Sequence, residues 1–415
     1  MNQNLLNKTK AVKEASRKMM KFSTEQKNKA LIFIAEELDK NRKTIIVENQ
    51  KDLENAKKTS MSEAFIDRLT LNDARIDGMI SVLHDVIKLN DPVGEILGMD
   101  TMPNGLKVGK MRMPLGVVAI IFESRPNVCI EAASLTIKSS NGIILRGGSD
   151  AINSNICLTK LIQNGLERAG LPKQIVEIME DTNRELVKDL LKMKEYIDVV
   201  IPRGGLKLVQ FVEENSVIPV IRHDQGICHT YVDEFANLEM ATKIAFNAKV
   251  HRPGVCNSME TLLVNEKVAS EFLPKMKAKY DKANVILKGC EKTKSILKNI
   301  ELATEEDWST EYLDLILSVK IIENMDKAIE HINHYGSHHS DAIITDNYSN
   351  GMQFINEVDS AACYINASTR FTDGNELGLG AEMGISNQKL HVRGPMGLKE
   401  LTSAKFIIFG NGQIR

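Results

Sequence analysis

Apolar positions along the first ninety residues follow the spacing of helices. They recur every three or four residues in the stretch that contains Ala30, Leu31, Ile34 and Leu38. Asp73 is placed to cap a further helix that runs toward Ile87. From Asp91 to Met113, proline, glycine and the pair Asn104-Gly105 separate short alternating segments, which predicts a projecting hairpin. We expect this hairpin to serve subunit contact.

From residue 117 onward, short apolar runs alternate with helical patterns. The predicted strands are 117–121, 143–145, 175–179, 197–201 and 218–220, and the predicted helices are 128–138, 151–169, 184–193 and 206–213. Such alternation is typical of a parallel sheet with helices on both faces. A nucleotide would bind such a sheet at the carboxyl ends of its strands.

A second α/β unit is predicted to begin near Ile227. Its strands are 227–232, 259–264, 315–322, 342–345 and 361–365, and its helices are 238–250, 266–280 and 325–335. We find no internal repeat and no low-complexity tract in the chain.

The amino-acid composition is typical of an ordinary globular protein. A chain of 415 residues predicts two or three domains, and 43% hydrophobic with 26% charged residues argues against disorder. The 55 acidic and 53 basic residues nearly cancel, so we expect neither a nucleic acid nor a membrane as partner. Residues 8–21 are basic, but Glu14 interrupts the run, which favours a surface helix over a targeting segment.

The six cysteines form no Cys-x-x-Cys pair, so neither a disulfide framework nor a zinc spacing is present, and a reducing cytoplasm is expected. One of them has an unusual setting. Cys256 follows the Pro253-Gly254 turn between a predicted helix and a predicted strand, with small or polar neighbours. Local sequence alone leaves a nucleophile and an ordinary loop residue equally open.

Longer motifs are spread over the whole chain. They are Met113-Pro-Leu-Gly-Val-Val118, Phe122-Glu-Ser-Arg-Pro-Asn127, Leu145-Arg-Gly-Gly-Ser149, Ile201-Pro-Arg-Gly-Gly205, Val255-Cys-Asn257, Asp307-Trp-Ser-Thr-Glu-Tyr312, Asn366-Ala-Ser-Thr-Arg-Phe-Thr-Asp-Gly374, Leu377-Gly-Leu-Gly-Ala-Glu382 and Arg393-Gly-Pro-Met-Gly-Leu398. With these motifs in this order, the chain resembles the aldehyde dehydrogenase superfamily, and within it the γ-glutamyl phosphate reductase (glutamate-5-semialdehyde dehydrogenase) branch.

The resemblance implies an NADPH-dependent reduction of γ-glutamyl phosphate to glutamate 5-semialdehyde in proline biosynthesis. Cys256 would attack the acyl phosphate, expel phosphate and carry a thioester that hydride then reduces. The tetrahedral intermediates need an oxyanion site. The Cys256 backbone N–H is one candidate donor, and Asn127 is the side-chain candidate, although the register places Glu123 where relatives carry the amide.

Two features bear on substrate binding. Where oxidising relatives carry a water-activating glutamate, this chain has Arg222-His223-Asp224-Gln225-Gly226, which would protect a thioester and suit an anionic substrate. The alternative for Arg222 and His223 is a solvated loop. Arg370 is our candidate for the substrate carboxylate, with a surface salt bridge as its alternative.

The resemblance also indicates the cofactor site. Arg146, Gly147, Gly148 and Ser149 follow a predicted strand, and the register places Ser149 where NAD-preferring relatives carry an acid. Arginine beside a small hydroxyl favours the 2′-phosphate of NADP, although Asp150 is adjacent. Arg203, Gly204 and Gly205 open a helix near the pyrophosphate. Glu311 matches the family acid that holds the nicotinamide ribose.

We therefore expect an aldehyde-dehydrogenase-like α/β fold with a doubly wound parallel-sheet cofactor domain. That domain would comprise 1–98, 112–226 and 361–386, the catalytic domain 227–360, and an oligomerisation arm 99–111 and 387–415. A homodimer or a dimer of dimers is expected, with Lys405 to Phe409 as a strand that pairs with a neighbouring subunit. The sequence leaves open whether glutamate 5-kinase passes its product directly to this chain as substrate.

Two further patterns are discounted. His331, His334 and His338, with His339 and Asp341 adjacent, have a zinc-like spacing, but Gly336 is expected to end the helix and leave a solvated helix end, so no metal site is predicted. Gly378, Gly380 and Gly384 loosely resemble a dinucleotide fingerprint but follow a polar loop. The alternative functions are an oxidising aldehyde dehydrogenase, a non-redox thiol acyltransferase or amidase, and a noncatalytic binding protein.

Overall fold

The computed structural model describes residues 2–59, 61–223 and 225–415. Within these residues the chain forms two compact units. The first comprises Met1–Arg222, Gly378–Gly384 and Met396–Arg415, and the second comprises His223–Leu377 and Ile385–Pro395.

The first unit begins with five helices, as the spacing of apolar residues predicts. They are α1 (Gln3–Met19), α2 (Thr24–Lys40), α3 (Arg42–Lys58), α4 (Glu63–Leu69) and α5 (Asp73–Lys88). The apolar face predicted for α2 is buried. The cap of α5 is Asn72, whose side chain accepts from the Arg75 N–H, and Asp73 is instead the first residue of the helix.

A four-stranded parallel sheet forms the centre of the first unit. Its elements are β3 (Val117–Phe122), α6 (Val128–Lys138), β4 (Gly142–Arg146), α7 (Ile152–Arg168), β5 (Val176–Ile178), α8 (Arg184–Leu190), β6 (Val199–Arg203) and α9 (Leu206–Asn215). The strand order is β5-β4-β3-β6. The strand predicted at 218–220 is wrong, because this segment forms only one bridge, between Val220 and Val200. Pro219 has no N–H and cannot extend a ladder there.

A separate antiparallel sheet belongs to the first unit. Its strands are β1 (Ile96–Thr101), β2 (Lys107–Pro114) and, at the end of the chain, β16 (Thr402–Phe409). The hairpin predicted at Asn104-Gly105 is confirmed, since β1 and β2 pair antiparallel around it. The predicted tail strand is also present, and it pairs along its length with β2 of its own chain.

The second unit is built on a seven-stranded parallel sheet. Its elements are β7 (Cys228–Val232), α10 (Leu238–Val250), β8 (Met259–Asn265), α11 (Glu266–Lys282), β9 (Ile286–Gly289), α12 (Glu291–Ile296), β10 (Glu301–Leu302), β11 (Ile316–Ile322), α13 (Met325–Tyr335), β12 (Ser340–Ile344), α14 (Tyr348–Glu357) and β13 (Ala362–Ile365). The strand order is β10-β9-β11-β8-β7-β12-β13. A short pair, β14 (Ile385–Ser386) and β15 (Gly394–Pro395), completes the unit.

Six of these elements have no counterpart in the sequence prediction, namely β9, α12, β10, α14, β14 and β15. Five of them are only two to six residues long, too short for a periodic pattern to stand out. Across the helices of the described residues, none combines the length and apolar composition that a membrane crossing needs.

Candidate active site

Cys256 lies in the loop between α10 and β8, as predicted, and its side chain is half-buried. A buried ion pair links the two elements that flank the loop. Lys249, in the last turn of α10, donates to the Glu260 carboxylate of β8 at 2.6 Å, and both side chains are fully inaccessible. Burial raises the pKa of Glu260 to about 7, although Lys249 favours the charged form. The pair holds the two ends of the loop together.

Asn257 attaches the same loop to the segment that carries Arg370. The Asn257 amide donates to the Thr372 carbonyl at 2.8 Å, and the Thr369 hydroxyl donates to the Asn257 carbonyl at 2.8 Å. Asn257 and Thr369 are buried, so these bonds are shielded from competing water. The loop position of Cys256 is therefore fixed on the side of residues 369–372.

Gly226 and Cys228 pack against the Cys256 backbone. A Cβ at Gly226 would lie 1.9 Å from the Cys256 carbonyl oxygen, so only glycine fits this approach. The Cys228 thiol donates to the same oxygen at 3.2 Å. Burial raises the pKa of Cys228, which keeps it a thiol donor rather than a thiolate. Of the two neighbouring sulfurs, only Cys256 is partly accessible.

Two histidines approach the Cys256 sulfur. His223, Cys256 and His339 each offer one ligand atom, and these three atoms lie within 4.8 Å of one another. The His223 Nδ1 is 2.9 Å from the Ile385 carbonyl oxygen. Because a carbonyl only accepts, Nδ1 carries the proton, and Nε2 of the neutral ring is the basic nitrogen. Burial lowers the pKa of His339 to about 3, so that ring is neutral at physiological pH.

The three residues meet because three neighbouring parallel strands begin beside them. In the sheet, β7 lies between β8 and β12. His223 precedes β7, Cys256 precedes β8, and His339 directly precedes β12. The amino ends of parallel strands lie along one edge of a sheet. The candidate site therefore occupies this edge of the second unit.

Arg370 is a half-buried cation near this edge. Its Nε is buried and has no hydrogen-bond partner among the described residues. Burial and the neighbouring Arg252 lower the pKa of Arg370, whereas Cys256 raises it. The Arg370 carbonyl accepts from the Asn257 amide at 3.4 Å, so Arg370 lies beside the loop that carries Cys256. A buried N–H without an acceptor is expected to find one in a ligand. This arrangement fits an anionic substrate group.

Glu311 lies beside the segment that precedes β7. Its carboxylate accepts from the Gly226 N–H at 2.8 Å, and burial raises its pKa. Asp224, in the same segment, lies outside the described residues. Arg222 belongs to the first unit, where it pairs with Glu213 of α9. The structure thus places His223 beside Cys256 and gives Arg222 a carboxylate partner of its own.

The predicted cofactor residues of the first unit follow β4. The Arg146 guanidinium donates to the Thr182 carbonyl at 3.0 Å, while its buried Nε has no partner within the described part of the chain. Burial and the nearby Arg184 lower the pKa of Arg146, whereas the carboxylates of Asp150 and Glu123 raise it, so both signs of charge are present in this region. A Cβ at Gly147 would lie 2.1 Å from the Asn155 amide nitrogen, which explains the glycine. Ser149 is exposed at the start of a short 3₁₀ turn.

The second predicted cofactor segment is partly engaged within the protein. Gly205 directly precedes α9, and its N–H donates to the Glu123 carboxylate at 3.1 Å. The Glu123 N–H in turn donates to the Arg203 carbonyl. Asn127, the predicted oxyanion donor, donates its side-chain amide to Glu131 at 2.7 Å. A ligand that binds the Gly205 N–H must therefore replace a carboxylate, whereas the Asn127 amide keeps a second N–H beside the one that it donates to Glu131.

The discounted histidine pattern on α13 remains separate from this site. As predicted, α13 ends at Tyr335. The prediction of a solvated helix end is wrong for His331, which is buried, because its ring packs edge-on against Trp308 and lies 3.1 Å from the Lys320 ammonium. His334 is exposed. A cation beside His331 disfavours a metal ion there.

Comparison with known proteins covers the whole chain. The aldehyde dehydrogenase family model matches residues 3–294. The γ-glutamyl phosphate reductase of Petrotoga mobilis is 55% identical over 411 residues, which is 99% of this chain and 99% of the relative. That of Thermodesulfovibrio yellowstonii is 52% identical, with 100% and 99% covered. The chain belongs to the aldehyde dehydrogenase family, in its γ-glutamyl phosphate reductase branch.

Solved structures agree with this family. The γ-glutamyl phosphate reductase of Thermotoga maritima superposes with a TM-score of 0.97 at 48% identity and covers 99% of both chains. The acetylating aldehyde dehydrogenase of Geobacillus thermoglucosidasius shares the fold at a TM-score of 0.71 and 18% identity, with 100% of this chain and 98% of that chain covered. The aldehyde-dehydrogenase-like α/β fold predicted from the sequence is confirmed.

Sequence reasoning missed several residues of this aldehyde dehydrogenase site. Cys228 lies in the predicted strand 227–232 and belongs to no motif, yet its thiol contacts the Cys256 carbonyl. The sequence spacing groups His339 with the α13 histidines and not with Cys256. The Lys249–Glu260 pair had one available signal, because opposite charges flank the loop within otherwise apolar segments. The contacts themselves depend on strand order, which local sequence does not encode.

We expect Gly226→Ala to disable this member of the aldehyde dehydrogenase family. The added methyl group would overlap the Cys256 carbonyl and force the loop to move. A displacement of about 1 Å at a reacting group costs on the order of 100-fold in rate. Gly254→Ala is the matched control, because its Cβ would meet nothing closer than the Leu313 carbonyl at 3.6 Å. Steady-state rates of both variants test this, and equal rates would contradict the packing argument.

Proposed function

We propose that this chain reduces γ-glutamyl phosphate to glutamate 5-semialdehyde, with release of phosphate and NADPH as reductant, in cytoplasmic proline biosynthesis. The observation that carries the proposal is the half-buried Cys256 with His223 beside it and Arg370 on the segment that is hydrogen-bonded to the same loop. Relatives more than half identical along their whole length bear the name of this activity. A nucleophile, a base and a cation for an anionic substrate are the groups that the reaction requires.

His223 is the base that activates Cys256. Its Nδ1 proton is held by the Ile385 carbonyl, so Nε2 can accept the thiol proton. The sequence assigned His223 to substrate binding, and the geometry favours the base. The resulting thiolate attacks the carbonyl carbon of the acyl phosphate, the carbon–oxygen bond to phosphate breaks, and the glutamyl group remains on sulfur as a thioester.

Arg370 supports recognition of the glutamyl unit. Its buried Nε has no acceptor within the described residues. A substrate carboxylate would accept from Nε and from a second guanidinium N–H at the same time. His223 stands in the segment where oxidising relatives carry a water-activating glutamate. Once His223 has taken the thiol proton it is an imidazolium and cannot act as a base toward water. The thioester is therefore preserved for reduction.

Several residues fit a nicotinamide cofactor. Arg146 and Arg184 offer two guanidinium groups near the end of β4, where Asp150 and Glu123 supply carboxylates. A 2′-phosphate would pair with the guanidinium groups, which favours NADP over NAD. Gly147 and Gly148 would let the backbone approach the nucleotide, with Ser149 beside them. Arg203, Gly204 and Gly205 would face its phosphates, and Glu311 would hold the nicotinamide ribose. When bound, the cofactor supplies the hydride that converts the thioester carbonyl to the aldehyde oxidation level.

Collapse of the reduced adduct regenerates the thiolate and releases the aldehyde. Both tetrahedral stages place negative charge on oxygen, for which one donor is worth about 3 kcal/mol. The Cys256 backbone N–H and the Asn127 side chain are the proposed donors. The Asn127 amide donates one N–H to Glu131, and its second N–H would serve the substrate oxygen.

The reverse reaction separates this function from aldehyde oxidation. We expect NADPH formation from glutamate 5-semialdehyde and NADP⁺ to require inorganic phosphate, since phosphate must cleave the thioester. Equal rates without phosphate would instead support an oxidising aldehyde dehydrogenase that hydrolyses the thioester. NAD⁺ in place of NADP⁺ is the matched control for the cofactor, and equal efficiency with both would contradict the role of Arg146 and Arg184.

We also propose that the chain functions as a homodimer or a dimer of dimers. The exposed apolar side chains of the three-stranded sheet support this, in particular Ile96, Leu97, Phe406, Ile408 and Phe409. Transfer of the labile acyl phosphate from glutamate 5-kinase would suit such an enzyme, and that partnership is a proposal of the same kind.

A further inference from the structure

The second unit brings together three side chains that are good ligands for zinc. His223, Cys256 and His339 place one nitrogen or sulfur atom each within 4.8 Å of one another. Thiolate and imidazole are the donors that zinc prefers, whereas magnesium and calcium prefer oxygen. Among the described residues, this is the one cluster of at least three such side chains with that spacing.

Both histidines are oriented as metal-binding histidines are. The His223 Nδ1 donates to the Ile385 carbonyl at 2.9 Å, and the His339 Nδ1 is 2.8 Å from the Ser340 hydroxyl. An anchored Nδ1 fixes the ring and directs Nε2 to a metal. The rings meet edge to face, with centroids 5.4 Å apart.

His339 supplies an independent indication of a ligand. Its side chain is completely buried, and its Nε2 has no hydrogen-bond partner among the described residues. A buried polar atom of this kind calls for an explanation, because it loses hydration without compensation. The mechanism proposed above uses Cys256 and His223 but assigns no task to His339.

We propose that Cys256, His223 and His339 form a zinc site in the substrate-free protein, and that zinc reversibly blocks the nucleophile. Zinc would replace the thiol proton, bind the thiolate and the two Nε2 atoms, and keep a fourth position for water. Substrate and zinc would then compete for one sulfur. The inhibition rests on the proposed function, whereas the binding does not.

Cobalt(II) titration of the full-length, reduced protein tests the binding directly. Thiolate coordination to cobalt produces a charge-transfer absorption band in the near ultraviolet, and zinc added afterwards should remove it. We expect a saturable band in the wild type, no band in Cys256→Ser, and at least about tenfold weaker binding in His223→Ala and His339→Gln. His334→Ala is the matched control and should bind as the wild type does.

Three outcomes would overturn the site. They are a wild type without the band, a Cys256→Ser variant that keeps it, and a His334→Ala variant that loses it. Thermal melts of each variant show whether it folds. If His339→Gln does not fold, Cys256→Ser still decides the test, because it exchanges only one atom.

Inhibition is measured separately. Zinc should lower turnover at the concentrations that displace cobalt, and a chelator should restore it. If the protein binds cobalt but zinc does not inhibit turnover, the proposed inhibition is overturned and the metal site stands. Cobalt binding by a protein that does not turn over γ-glutamyl phosphate would overturn the proposed function instead.

Discussion

Replacing Cys256 with serine is expected to lower kcat by about 10⁴-fold or more, because removal of a covalent nucleophile eliminates the pathway and leaves only residual catalysis. Serine preserves size and leaves the ion pair between Lys249 and Glu260 in place, so the loop should keep its position. Its hydroxyl is a far weaker nucleophile than a thiolate at neutral pH. Rates with saturating substrate and cofactor measure the effect.

Cys290→Ser is the matched control for this substitution. Cys290 is also half-buried, but its thiol interacts with the Thr293 hydroxyl at 3.2 Å, within the α12 region. We expect this variant to turn over as the wild type does and both variants to bind NADPH normally, as followed by cofactor fluorescence. A Cys256→Ser variant with more than a tenth of wild-type kcat would refute the assigned nucleophile.

Substitution His223→Gln is expected to lower kcat by about 100-fold, within the range typical of a lost general base, with KM little changed. Glutamine keeps a polar side chain of similar length but cannot accept a proton from Cys256. The alkylation rate of Cys256 by iodoacetamide should fall as well, because less thiolate forms. That second measurement reports on the sulfur without any substrate.

The same variant separates the two roles considered for His223. A raised KM with unchanged kcat and unchanged alkylation would contradict the base and support the substrate-binding role inferred from the sequence. His251→Gln is the matched control, since His251 lies at the start of the same loop and its side chain is exposed.

The setting of Cys256 could be predicted from the sequence because its signals are local. A helical pattern ends at Val250, Pro253 and Gly254 form a turn, and an apolar strand begins at Met259. Each of these features depends on neighbours a few residues away. The hairpin at Asn104-Gly105 and the parallel sheet were predictable for the same reason.

The companions of Cys256 could not be predicted, because they depend on the order of strands. His339 reaches the sulfur only because β12 and β8 flank β7, an order set by long-range packing. Sequence spacing instead grouped His339 with the histidines of α13. The short elements between α11 and β11 were missed since too few residues define their pattern.

The proposed reaction depends most on a glutamyl group carried by Cys256. Mass spectrometry of peptides from protein quenched in acid, after incubation with glutamate 5-semialdehyde and NADP⁺ without phosphate, tests this directly. We predict a glutamyl adduct on the peptide that contains Cys256, lost when phosphate is added before the quench. An adduct on another residue, or a fully turned-over protein with no adduct, would contradict the account.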